Sequence, residues 1–260
     1  MKKLIYFIAA AAFLVNPAKA KAGETVIYHD GDVELEGYWV PSQCGATEKA
    51  PAVLVIHQWR GLTGNEKYRA DLLAKQCYNA FAVDMYGKGI RPDNNEDAGK
   101  QAAIYKNDSA LARKRITAAL DFVKKQPGVD ADKIAAIGYC FGGTMALELA
   151  RSGAEVKGVV SFHGGLSTPS PLTEPGIIKA SVQIHHGADD TFVPPAEVKK
   201  FEEEMNTANA DWSLTSYAHA VHSFTQKEAG NDPSKGMAYN EKADARSWAA
   251  ASDFLSEVLQ

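Results

Sequence analysis

Short apolar runs alternate with amphipathic stretches along most of the chain. Thr25–Tyr28 and Val33–Val40 predict the two strands of a hairpin, with Asp30-Gly31 at the turn. Ala52–Ile56 (AVLVI) is continuously apolar, as expected of a strand covered on both faces of a parallel sheet. A helix follows over about Glu66–Gln76, with Tyr68, Leu72 and Leu73 at helical spacing, and Ala80–Val83 reads as the next strand. The polar stretch Gly87–Gly99 leads into helical segments that end near Lys125. Ile134–Gly138 predicts a strand, Gly142–Ala150 a helix, and Val156–Phe162 and Val182–His186 two further strands. Pro195–Met205 predicts a helix, Trp212–Tyr217 a strand, and Asn240–Leu259 a final amphipathic helix. This alternation predicts an α/β fold, with a mostly parallel central sheet and helices on both faces. No repeat, low-complexity tract or linker interrupts residues 23–260, which read as a single domain. In such sheets reactive groups gather outside the carboxyl ends of the strands.

The first 20 residues break the pattern. Lys2 and Lys3 precede a short apolar run, Leu4–Val15, and Ala18-Lys19-Ala20 follows Pro17 with small residues at the −3 and −1 positions of a cleavage site. The segment reads as a bacterial secretory signal peptide, cut after Ala20 or Ala22, which predicts a periplasmic or secreted protein. The apolar run is about half the ~20 residues that a spanning helix needs, so no membrane association is expected after cleavage. The composition, 45% hydrophobic and 23% charged in 260 residues, is that of a globular chain and excludes a disordered one. The formal charge of −4 becomes −7 once the three lysines of residues 1–20 are removed. Nothing in it suggests a nucleic-acid partner.

Three cysteines, Cys44, Cys77 and Cys140, are too few for a disulfide scaffold and too scattered for a zinc site. In an oxidising compartment Cys44 and Cys77 are a candidate pair, although the sequence leaves their separation open. That pairing would leave Cys140 as a thiol. Cys140 lies in Gly138-Tyr139-Cys140-Phe141-Gly142-Gly143, directly after a predicted strand and directly before a predicted helix. This is a nucleophile elbow with Cys in place of Ser. The turn is so sharp that side chains at 138 and 142 would collide with backbone. The helix N-terminus favours a thiolate, and the Phe141 N–H would face a developing oxyanion. A cysteine nucleophile needs a base, and the base an orienting group. Asp189 and Asp190 follow the strand Val182–His186, and His222 follows the strand Trp212–Tyr217. All three groups therefore fall on one edge of the sheet, in the order nucleophile, acid, histidine.

These residues resemble the dienelactone hydrolase family of α/β-hydrolases over nearly the whole chain from Val33 onward. The likeness rests on His57-Gln58-Trp59-Arg60-Gly61, Asp84-Met85-Tyr86-Gly87, the Gly138–Gly143 elbow, Gly187–Pro194 and His222-Ser223-Phe224. It implies an α/β-hydrolase fold and a Cys140–His222–Asp190 triad. The D-x-x-V-P register selects Asp190 over Asp189. It also implies an oxyanion hole from the backbone N–H groups of Phe141 and Trp59, and cleavage of a small-molecule lactone or carboxylic ester without metal or cofactor. Two departures stand out. The family commonly carries Glu where this chain has Gln58, and its two substrate-binding arginines fall on Lys88 and Gln226. Arg60 and Arg91 are then the nearby basic candidates for an anionic substrate. Trp59, Tyr86, Phe141 and Phe192 are candidates for an aromatic wall, and His163 for a pocket-lining residue. His57 is expected to support the oxyanion loop and Asp84 to anchor the Met85–Gly89 turn. His219 and His222 have an H-x-x-H spacing, but no partner motif accompanies it. The alternatives are a broad carboxylesterase or thioesterase, a small peptidase, or a binding protein on a hydrolase scaffold. Oligomeric state is not written in the sequence.

Overall fold

A computed structural model describes residues 22–45 and 49–260. The predicted signal peptide lies outside the described residues.

Strands β1 (Glu24–Asp30) and β2 (Val33–Val40) form the predicted hairpin, although the turn sits one residue later, at Gly31-Asp32, with Gly31 at φ 59°. Strands β3 (Ala50–Ile56), β4 (Asn79–Val83), β5 (Val129–Tyr139), β6 (Gly158–Phe162), β7 (Ser181–Gly187) and β8 (Trp212–Tyr217) complete one eight-stranded sheet. Its order is β1-β2-β4-β3-β5-β6-β7-β8, and every pair from β4 to β8 is parallel. Helices α1 (Gly64–Lys75), α2 (Asn95–Lys106), α3 (Ser109–Lys124), α4 (Phe141–Arg151), α5 (Pro195–Thr207) and α6 (Glu241–Val258) connect and cover the strands.

The continuous apolar runs have the predicted cause. Along β3, Ala52, Leu54 and Ile56 face one core with Ile116 and Leu120 of α3 and Met145 of α4. Val53 and Val55 face the other, with Leu73 of α1 and Leu255 of α6. Successive side chains of a strand point to opposite faces, so a strand between two helical layers is apolar throughout. Helix α4 is buried along its entire length. An ion cluster, Arg151 with Glu148 at 3.2 Å and Glu204 at 2.7 Å, pins it to α5.

Several boundaries shift by one or more residues, and two of the shifts have a local cause. Strand β5 starts at Val129, five residues early, because Val129 pairs with Ala50 before the regular register begins at Ile134. Helix α1 starts at Gly64 because Thr63 caps it in a box with Glu66. Beyond the last turn of α1, Cys77 adopts φ 72° and forms a disulfide with Cys44, their Cα atoms 5.1 Å apart.

Candidate active site

The elbow follows from local sterics. Cys140 sits between β5 and α4 at φ 53° and ψ −117°, a strained backbone for a residue with a side chain. A Cβ on Gly138 would run into the Gly142 carbonyl, and one on Gly142 into the Ile56 carbonyl. Only glycine fits either position, and the cysteine is thereby lifted to the carboxyl edge of the sheet.

Two other strand ends bring their side chains to the same point. His222 Nε2 lies 3.0 Å from Cys140 Sγ, and His222 Nδ1 lies 2.9 Å from Asp190 Oδ2. The second Asp190 oxygen accepts the Phe192 N–H at 2.8 Å, which fixes the carboxylate. Asp189 instead points to solvent, 3.9 Å from the exposed His219. The two histidines of the H-x-x-H spacing thus face different ways.

Burial pushes the Cys140 thiol up, but the facing His222, its hydrogen bond, the Phe141 N–H and Lys106 together hold it below the ordinary thiol range. Burial lowers His222 in turn, yet the Cys140 sulfur and Asp190 outweigh it and push His222 up to about 10. Both directions favour a thiolate facing an imidazolium.

The surroundings are layered. His57 Nε2 accepts the Met85 N–H at 3.0 Å, and Asp84 Oδ1 accepts the N–H groups of Tyr86 and Gly87 at 3.0 and 3.2 Å. His57 and Asp84 therefore brace the strand-end loops, as expected. Trp59, Phe141 and Phe192 line a cavity of about 360 Å³ that also contains Cys140 and His222. Grooves of about 640 and 610 Å³ lie against β1 and α3 and against α5, but neither touches Cys140 or His222.

Six sequence candidates lie outside this cavity. Tyr86 is behind the wall rather than in it, with its ring 5.2 Å from Phe141 and its hydroxyl donating to the Trp59 carbonyl at 3.0 Å. Lys88 pairs at the surface with Glu34 of β2, and Arg91 turns inward to Asp84 and the Leu62 carbonyl. Neither lines the cavity, because their loop closes over the neighbouring strands. His163 is buried behind Cys140 rather than lining the pocket. Its Nδ1 accepts the Cys140 N–H at 3.2 Å, which leaves the proton on Nε2 to donate to Thr225 Oγ1 at 2.8 Å. Gln58 turns to the buried Glu66, at 3.5 Å, and with Arg60 lines an adjoining groove.

Sequence reasoning missed the wall contributed by α2. Gly99, Ala103 and Lys106 recur at i, i+4 and i+7 on one face and line the cavity, together with Ala102. Two small residues and one lysine on a stripe beside the buried Ala98 and Tyr105 are the signal that was available. Met237 was missed as well, because it reaches the cavity only through a bridge to His222.

The chain matches the model of the dienelactone hydrolase family over residues 35–259. A putative carboxymethylenebutenolidase of Aquifex aeolicus (strain VF5) is 27% identical over 243 residues, 92% of this chain and 100% of its own. The carboxymethylenebutenolidase of Pseudomonas sp. (strain P51) is 28% identical over 197 residues, 73% of this chain and 80% of its own. Among solved structures, a dienelactone hydrolase-like promiscuous phosphotriesterase from metagenomic libraries superposes with a TM-score of 0.85. It is 37% identical and covers 92% of this chain and 98% of its own.

Proposed function

The chain belongs to the dienelactone hydrolase family and is a hydrolase acting on ester or lactone bonds, and we propose that it works through Cys140 as a covalent nucleophile. The observation that carries this reading is the unbroken line from Cys140 Sγ through His222 to Asp190, at 3.0 and 2.9 Å. The thiolate attacks the carbonyl carbon, and the oxygen charge is held by the N–H groups of Phe141 and Trp59. The C–O bond breaks, and the leaving alcohol takes the proton from the His222 imidazolium. Water then attacks the thioester, passes a proton to His222 and releases the acid, which restores Cys140. Asp190 holds the imidazole in one tautomer and orientation throughout. The alkaline limb of kcat/KM is expected near pH 10, where His222 loses its proton.

Hydrolysis of p-nitrophenyl acetate before and after iodoacetamide tests the reading. One equivalent of label on Cys140 should abolish turnover, and activity that survives full labelling contradicts the nucleophile. A second reading rests on the 37% identity to the relative named as a phosphotriesterase: the same thiolate attacks the phosphorus of a neutral phosphotriester, an S–P bond forms, and a P–O bond breaks to release the aryloxide. Paraoxon turnover that disappears with ester turnover in Cys140→Ala would support it. Turnover that persists would exclude it.

Export to the periplasm is part of the proposal, and the Cys44–Cys77 disulfide supports an oxidising compartment. Cell fractionation with N-terminal sequencing of the mature protein tests it. A start at residue 21 or 23 is expected, and an intact Met1 in the cytoplasmic fraction would refute it.

A further inference from the structure

Next to the cavity that holds Cys140 lies a second one, of about 480 Å³, and the two share Trp59 and Met237 as a common wall. Their linings differ in kind. The first is walled by Ala102, Ala103, Phe141 and Val193. The second presents Gln58, Asn65, Ser223 and Gln226 around Trp59. Gln58 and Ser223 line it while only 4% and 5% exposed, so they belong to the groove rather than to the open surface. Gln58 and Asn65 each point their amide nitrogen at Glu66, at 3.5 and 3.4 Å. That leaves both amide oxygens without a protein donor among the described residues. The Gln226 amide and the Ser223 hydroxyl have no protein partner there either. The groove's cation, Arg60, is committed to Asn95 at 2.5 Å and packs over the Trp59 ring. What remains is a set of neutral donors and acceptors beside an indole face, with the exposed Glu228 carboxylate as a further acceptor, which suits an uncharged ligand carrying several hydroxyls on a ring with an apolar side.

The groove is also on the side where a leaving group must emerge. The leaving oxygen has to lie within hydrogen-bond reach of His222, its proton donor. Ser223 is the next residue after His222, and Met237 bridges to His222 directly. We propose that this polar groove is the alcohol subsite, and that it takes the sugar or polyol half of an acylated carbohydrate while the acyl chain occupies the apolar cavity. The inference rests on the nucleophile reading above and goes beyond it by assigning a leaving-group class.

Two esters with one acyl group test it: 6-O-butyryl-glucose and ethyl butyrate, each rate divided by that ester's hydroxide-catalysed rate. The glucose ester should be favoured in kcat/KM by about tenfold or more, and Gln226→Leu and Asn65→Leu should each reduce the ratio by roughly three- to tenfold. A second readout needs no variant. The butyryl-enzyme should pass its acyl group to methyl glucoside in preference to ethanol at equal concentration. In that transfer the thioester C–S bond breaks, the new C–O bond forms, and the hydroxyl proton goes to His222. A normalised ratio near one, with no preference for methyl glucoside, overturns the subsite while leaving the hydrolase reading intact. Failure to cleave either ester, with Cys140 still open to alkylation, overturns the nucleophile reading and the subsite with it.

Discussion

Cys77 and Cys140 share an uncommon backbone, φ 72° and 53°, and have opposite chemistry. Cys77 lies just past the carboxyl end of α1, where its N–H closes the last turn on the Ala74 carbonyl at 3.2 Å. A helix carboxyl end disfavours a thiolate, and this sulfur is held in a disulfide to Cys44. Cys140 caps the amino end of α4, faces His222 and remains a free thiol. Residue type and backbone strain are thus common to both sulfurs, and the helix end and the histidine opposite the sulfur are what differ. If these make Cys140 the nucleophile, substitutions around it should act on turnover and substitutions around Cys77 on stability.

The largest effect is expected at the sulfur itself. Cys140→Ala should lower kcat for p-nitrophenyl acetate by about 10⁴-fold or more. A loss below tenfold would remove Cys140 from the chemistry. Asp190→Asn keeps the size of the side chain, but with the amide oxygen held by the Phe192 N–H its NH2 faces His222 Nδ1 and donates, which moves the imidazole proton to Nε2. A loss on the order of 10³-fold is expected in kcat with KM little changed, and equal activity would show that Asp190 does not orient the base.

The other half of the comparison predicts the reverse pattern. Cys44→Ser with Cys77→Ser opens a crosslink between residues 33 apart, which should cost about 3–4 kcal/mol in urea unfolding. Turnover of the folded fraction should stay within about twofold, since neither sulfur lines the cavity. A collapse in kcat for fully folded protein would break the division of roles. The smallest effect is expected for Gln58→Glu, which sets a second carboxylate against the buried Glu66. Its folded pKa should rise, so a penalty of about 1–3 kcal/mol appears above the ordinary carboxylate range and fades as pH falls. Unfolding curves at pH 5 and pH 8 would measure it.

The elbow was legible in the sequence because its constraints are local. Two glycines flank a cysteine between a strand and a helix, and sterics at Gly138 and Gly142 require that spacing. Asp190 and His222 were legible because each follows a strand end, and strand ends of a parallel sheet share an edge. The cavity walls were not. The sequence places Lys88 and Arg91 on the right loop, but their direction depends on Glu34 and Asp84, which come from other strands. Lys106 reaches the cavity only because α2 packs across it. For the disulfide the sequence supplies parity and compartment, whereas the 5.1 Å Cα separation requires the fold that brings the loop after β2 against the end of α1.

We propose that His222, not backbone strain alone, makes Cys140 a thiolate. The rate of Cys140 alkylation by iodoacetamide against pH tests it most directly, and Cys44 and Cys77 stay silent in their disulfide. A thiol whose folded pKa is depressed keeps its charge as pH falls below the ordinary value of about 8.5. The unaltered protein should therefore reach half its full rate below that pH. His222→Ala should move the midpoint upward, because only the Phe141 N–H and Lys106 are then left to oppose burial. A native midpoint at or above about 8.5, or one that His222→Ala leaves in place, would contradict the account.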